Sequence, residues 1–342
     1  MVTSTAIVRD KLGLLLLDPT GSQSLVVSGN GLVNVTGDCG AVVVDSSNAK
    51  AAVVSGNGVV SAGDFDVTGG VVTSGHGVVP SPIDHEAPTA DPLGLVLPSP
   101  PSPTFGAEHA SGGIVPLGPG TYVGGISVSG KARVNLAAGV YFMEGGGFSV
   151  TGGGSVTGNG VVIINVPSHS GDSITVSGQG VLTLTAPTTG PFQGVAVFQA
   201  PSSSVALSFS GQANVTIAGV VYAPKAPVSI SGNAVVTINR GAGTATLPPI
   251  FAAMIAYDAQ VTGNGVLTIN PDDPPASGRS MAVAYGADDV YSGSRAANPT
   301  SGNLSNSATP DNQAAINEVA ISLAASADAV SAATGSARKK TS

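Results

Sequence analysis

The stretch that decides the fold is Val228-Ser229-Ile230-Ser231-Gly232-Asn233-Ala234-Val235-Val236-Thr237-Ile238. Apolar residues alternate with Ser and Thr on both sides of Gly232-Asn233. An alternation of period two places one face of a strand in the core and the other in solvent. Gly and Asn accept positive φ at the least cost, so they suit a sharp corner between two such strands. The unit is therefore strand, corner, strand.

The unit recurs along the chain. Ser or Thr precedes the first glycine of eight strong copies, which begin at Gly29-Asn30-Gly31, Gly56-Asn57-Gly58, Gly130-Lys131-Ala132, Gly158-Asn159-Gly160, Gly178-Gln179-Gly180, Gly211-Gln212-Ala213, Gly232-Asn233-Ala234 and Gly263-Asn264-Gly265. A weaker copy is Gly75-His76-Gly77. The expected structural corners are thus Gly29, Asn30, Gly56, Asn57, Gly158, Asn159, Gly178, Gly211, Gly232, Asn233, Gly263 and Asn264. Within each solenoid part, successive first glycines lie from 19 residues (56 to 75) to 33 residues (178 to 211) apart. Such periods suit one solenoid coil with loops of variable length. Glycine-rich turns also punctuate antiparallel sandwiches, so that topology is the alternative. The expected fold is an all-β parallel β-helix (β-solenoid), taken as right-handed, with a Pro-rich insertion and a C-terminal α-helix.

One coil cannot bury its Val/Ile face alone; neighbours above and below complete the core. Each buried Val, Leu or Ile contributes roughly 1.5–3 kcal/mol. The register puts Ile230 inside. Asn30, Asn57, Asn159, Asn233 and Asn264 are expected to stack as partial amide ladders along the axis.

The organisation reads as a lead-in over 1–21, a first solenoid part over 22–79 and a Pro-rich insertion over 80–110. A second solenoid part over 111–270 follows, then a linker over 271–309, a helix over 310–334 and a basic tail over 335–342. Eight prolines between Pro80 and Pro103 exclude a central strand there. Leu93, Leu95, Val96 and Leu97 are apolar, which favours a segment lying along the solenoid side. Thr309-Pro310-Asp311 has the order of a helix start, and Ile316, Val319, Leu323, Ala327 and Val330 keep helical spacing.

Composition limits the function. Only 9% of the 342 residues are charged, the net charge is −8, and there are 12 Lys+Arg. Binding to nucleic acid needs a basic footprint, so it is excluded as an expected function. The one basic cluster, Arg338-Lys339-Lys340, reads as a solvated terminus. Cys39 is the single cysteine, which leaves no intramolecular disulfide and no cysteine metal site. The apolar run Leu12–Leu17 is too short to span a bilayer and lacks a signal-peptide cleavage site.

No catalytic, cofactor or metal residues are expected. Polysaccharide-cleaving β-helices need clustered carboxylates and a base. Here Asp64 and Asp66 share a strand face as a weak pair, while Asp272/Asp273 and Asp288/Asp289 lie in terminator and linker sequence. Asp84-His85-Glu86 looks metal-like, yet adjacent residues of an extended chain point to opposite sides; His76, His109 and His169 are remote in sequence. Cys39 has no basic neighbour to lower its pKa.

Leu17-Asp18-Pro19-Thr20, Val42-Val43-Val44-Asp45, Ala90-Asp91-Pro92-Leu93, Pro119-Gly120-Thr121-Tyr122, Gly139-Val140-Tyr141-Phe142 and Gly219-Val220-Val221-Tyr222-Ala223-Pro224 carry a further signal. With the glycine corners, they resemble the glycine-rich C-terminal region of bacterial TadG-like proteins of the tight-adherence pilus system, over roughly residues 14–270. The resemblance implies a non-enzymatic, envelope-associated or extracellular β-helix linked to pilus assembly or adhesion. Its partners would be envelope or pilus components, or further copies of itself. A self-assembling filament of the bactofilin kind and a carbohydrate-active β-helix enzyme are the alternatives.

Overall fold

The computed structural model describes residues 11–37, 40–84, 87–241 and 254–271. The chain divides into two units, 1–279 and 280–342, and every described residue belongs to the first. The expected linker beyond Pro271, the helix over 310–334 and the basic tail lie outside the described residues, as do Cys39, His85 and Glu86.

The described residues form an all-β solenoid of parallel strands. The first coils are β1 (Lys11–Leu16), β2 (Leu25–Val27), β3 (Leu32–Val35), β4 (Gly40–Val44), β5 (Ala52–Val54), β6 (Val59–Ser61), β7 (Asp64–Val67), β8 (Val71–Thr73) and β9 (Ile83–Asp84). Next come β10 (Thr104–Phe105), β11 (Glu108–Ala110), β12 (Ile114–Leu117), β13 (Gly120–Val123), β14 (Ile126–Val128), β15 (Arg133–Leu136), β16 (Gly139–Glu144), β17 (Phe148–Val150) and β18 (Ser155–Asn159). The last are β19 (Val161–Val166), β20 (Ile174–Val176), β21 (Val181–Thr185), β22 (Val195–Gln199), β23 (Leu207–Phe209), β24 (Asn214–Ala218), β25 (Val220–Ala223), β26 (Val228–Ile230), β27 (Val235–Asn239), β28 (Met254–Ala256), β29 (Ala259–Val261) and β30 (Val266–Asn270).

Every third strand joins the same wall, except that β9 follows β7 at the upper end of wall A. Wall A runs β10-β13-β16-β19-β22-β25-β28-β1-β4-β7-β9, wall B runs from β11 to β29 and then β2-β5-β8, and wall C runs from β12 to β30 and then β3-β6. All the pairings are parallel, which sets aside the antiparallel sandwich. Inward Val, Leu, Ile and Phe of the three walls form one continuous core, with Ile230 in it at 1% exposure.

The strand order holds a feature that repeat counting does not contain. The last coil, β28–β30, stacks directly on the first, β1–β3, through all three walls: Leu15 pairs with Ile255, Val26 with Gln260 and Val33 with Leu267. The Leu12–Leu16 run, read as part of a lead-in, is thus a central strand buried on both faces. From β1 in the upper coils the chain winds up through β9, returns to the far end, and climbs back to meet β1.

The Pro-rich segment is the return path. Thr89 N donates to Asp45 Oδ1 (2.8 Å), just past β4, and Thr121 Oγ1 in β13 donates to the Pro101 carbonyl (2.6 Å). Seven strand steps separate β4 from β13 in wall A, about 34 Å at ~4.8 Å each. Twelve residues (89 to 101) of polyproline conformation at ~3.1 Å cover about 37 Å. Its length therefore matches the span. Proline-rich chain needs few partners for backbone N–H groups, and this strap lays Leu93 and Leu95 on an outer apolar layer of wall A that includes Leu12, Leu15, Val43, Phe198, Tyr222 and Ile255. The solenoid resumes at Thr104, within the stretch that the sequence assigns to the insertion.

Candidate functional site: hydroxyl columns and the coil corners

The corners between walls B and C follow one geometry. The first glycine is left-handed, with φ of 71° at Gly29, 66° at Gly56, 67° at Gly178, 73° at Gly211, 70° at Gly232 and 68° at Gly263. The second residue donates its N–H to the first glycine of the neighbouring coil, as Asn233 does to Gly211 (2.6 Å) and Asn30 to Gly263 (2.6 Å). The third residue is Gly or a fully buried Ala, as at Ala132, Ala213 and Ala234. Its small size leaves room for the neighbouring coil.

Gly158 and Asn159 are a correction: they lie in β18, not at a corner. The corner of that coil is Thr151-Gly152-Gly153-Gly154, with Gly152 at φ 64°. Gly158 instead pairs with Leu136 below and Leu184 above, and the chain turns into wall A at Gly160 (φ 68°). Two glycine-rich stretches lie within one coil, and strand pairing decides which is which.

The amide ladder forms at four of the five expected asparagines. Asn264 Nδ2 donates to Asn233 Oδ1 (2.7 Å), Asn30 to Asn264 (2.8 Å) and Asn57 to Asn30 (2.9 Å). Asn159 lies instead in register with Thr185. A second ladder, Asn239–Asn270–Thr36, links the far corner across the same coils.

The outward residues of wall C align because its register holds without a shift. Its central column reads Asn135, Thr157, Thr183, Thr216, Thr237, Thr268, Asn34, Ser61. Wall B carries Ser127, Ser149, Thr175, Ser208 and Ser229 in the same way. Strand spacing sets these side chains about 4.8 Å apart along the axis. No charged residue stands in either column. The sequence carries the signal for the wall C column, Thr five residues after the corner glycine, but only register shows that the copies align.

Asp64 and Asp66 share one face of β7, as their spacing predicts, but differ in exposure. Asp64 is exposed while Asp66 is buried at 2%, both on the outer side of wall A beside Ala41 and Val43. Asp172 accepts from the N–H groups of Ser168 and His169 (both 2.8 Å), and its carboxylate lies 3.6 Å from the exposed His169 ring. Burial works against its charge, yet the backbone donors of His169, Ser168 and Gly146 hold its pKa below the ordinary value. Among the described residues, no group of three His, Cys, Asp or Glu could hold a metal ion, and no helix is long and apolar enough to cross a membrane.

Two further polar sites escape sequence reading. Tyr222 donates to Asp91 Oδ2 (2.6 Å) and accepts from Leu95 N–H (3.1 Å), fastening the strap. Burial first, then Asp91, push its hydroxyl far above the usual phenol range. Where β28 meets β1, Asp258 hydrogen-bonds Asp18 and Ser24, and burial followed by the Asp18 charge pushes its carboxyl up to about 6.

Comparison with protein-family models, with curated proteins and with solved structures found no match for this chain.

Proposed function

We propose that this chain is a non-enzymatic structural solenoid, TadG-like and associated with the cell envelope or surface, which lays an uncharged column of hydroxyls against an extended neutral partner in pilus assembly or adhesion. The observation that carries the reading is the wall C column of five successive threonines, Thr157 to Thr268, in unbroken register. Such a column offers many weak hydrogen bonds and methyl contacts at a fixed period; the exposed Arg133 stands on the same wall beside its Asn135 end.

End-to-end assembly is less well supported. The carbonyls of Gly113 and Leu117 both accept from β15 or just beyond it, so by alternation Pro116 faces the outer edge of β12. A proline there removes a donor that a stacking copy would need.

The test is adsorption of the full chain to monolayers ending in neutral hydroxyl, carboxylate or methyl groups, read by a quartz-crystal microbalance. Retention on the hydroxyl surface that persists in salt and is lost on Thr183→Lys/Thr216→Lys/Thr237→Lys is expected. Equal retention of the triple variant would overturn the wall as the binding face. Turnover of an acidic polysaccharide, lost on Asp64→Ala, would overturn the non-enzymatic reading.

A further inference from the structure

The junction of β1–β3 with β28–β30 is a seam between two segments that are remote in sequence. No peptide bond crosses it; the chain connects its two sides only through the strap and the lower coils. Beyond the strand pairing, side-chain links close it at each of the three corners. Asn30–Asn264 and Thr36–Asn270 are neutral amide and hydroxyl bonds of 2.8 Å each. The third corner holds a pair of carboxyl groups.

Its geometry follows from the register. Leu16 pairs with Ala256, and Asp18 N–H donates to the Tyr257 carbonyl (3.1 Å), so Asp18 and Asp258 stand in adjacent coils at one corner. Asp18 is 7% exposed, and its Oδ1 is committed to the N–H groups of Thr20 (3.0 Å) and Gly21 (2.8 Å). Asp258 Oδ1 is buried without a hydrogen-bond partner. Two acids in such a position bond to each other only when a proton lies between them; when both are ionised they repel.

Among the described residues, the groups that act on Asp258 are Asp18 and Ser24, not a cation. Tyr257 hydrogen-bonds Asp18, and Ser24 bonds Asp258. Lys225 lies over the Tyr257 ring, its Nζ 5.3 Å from the centroid. Lys50 contributes to this corner its backbone carbonyl, which accepts from Gln23 N–H (2.7 Å).

We propose that the Asp18–Asp258 pair makes the seam a proton-closed joint: the N-terminal coils sit tightly on the C-terminal coil when the pair shares a proton, and the joint loosens when both acids are ionised. The Asn30–Asn264 and Thr36–Asn270 links contain no titratable group, so among the described side-chain links of the seam the pH dependence falls on this corner. The sign follows from linkage. The Asp258 pKa is raised in the closed seam, to about 6, above its ordinary value of about 3.9. Closed-seam stability is therefore greatest at low pH, falls as pH rises from about 4 to about 6, and is level above that. Solvent reaches part of this corner and screens the effect, so about a tenfold loss is expected between pH 4.5 and 7.

The experiment is hydrogen exchange of the full chain at pH 4.5 and 7, with each amide expressed relative to its free rate at that pH. Protection in β1–β3 and β28–β30 should fall about tenfold at pH 7 relative to mid-solenoid strands β17–β21. In Asp258→Asn, whose amide keeps a permanent donor toward Asp18, the fall should vanish. Asp18→Asn provides a second route to a neutral pair should the first variant fold poorly. Seam strands that change in step with the mid-solenoid strands, or a folded neutral variant that keeps the tenfold fall, would overturn the proposal.

Discussion

Replacing Gly232 with Ala tests why the first corner residue is always glycine, even though Asn follows it so often. Two costs are expected. At φ 70° an L-residue pays about 1–2 kcal/mol for the left-handed backbone. A Cβ at Gly232 would also lie 3.0 Å from both the N and the O of Gly211 in the coil below. Those atoms are backbone, and Gly211 O accepts the 2.6 Å bond from Asn233 N–H, so relief means lifting one coil off the next. Overpacking of this kind costs about 1–3 kcal/mol. The total expected loss is about 2–5 kcal/mol. Gly190→Ala is the control, because Gly190 has φ 87° but nothing within 4 Å of its Cβ position, leaving the backbone cost alone. Urea unfolding followed by far-ultraviolet circular dichroism suits a chain with no Trp. Asn tolerates the left-handed region, so Gly232→Asn should recover part of the first cost and none of the second. Equal losses for Gly232→Ala and Gly190→Ala would refute the stacking argument.

Ile230→Asp should unfold at least the surrounding coils, since Ile230 lies between Phe209 and Val261 at 1% exposure and an unpaired buried charge costs several kcal/mol. A folded, soluble variant of unchanged melting temperature would refute the inward register. Tyr222→Phe removes the strap's bonds at Asp91 and Leu95 and should cost about 1–3 kcal/mol. Its local readout is faster thermolysin cleavage at Leu93 or Leu95; an unchanged cleavage rate would show that the Tyr222 bonds do not hold the strap.

Periodicity and corner chemistry are local, and for that reason they were legible. Alternation around Gly232-Asn233 determines which side chains are inside, and the spacing of the repeated unit favours a solenoid over a sandwich. The corner of the coil holding Gly158 was ambiguous, because Thr151-Gly152-Gly153-Gly154 and Thr157-Gly158-Asn159-Gly160 both satisfy the local rule. Pairing of Gly158 with Leu136 and Leu184 resolves it. The apolar residues of the Pro-rich segment pointed to the solenoid side, but its destination depended on the distance it had to cover.

What only the tertiary structure decided is the order of the coils. Strand edges carry no address: the open edge of β30 accepts β3 as readily as a covalently continuous coil would, because both offer the same alternation and the same corner. Sequence by itself therefore determined the coil and its inward face. The closure of the last coil on the first, the column of threonines on wall C, and the meeting of Asp18 with Asp258 across 240 positions (18 to 258) depend on long-range register. That register is fixed by burying three walls at once, and no local stretch of this chain contains it.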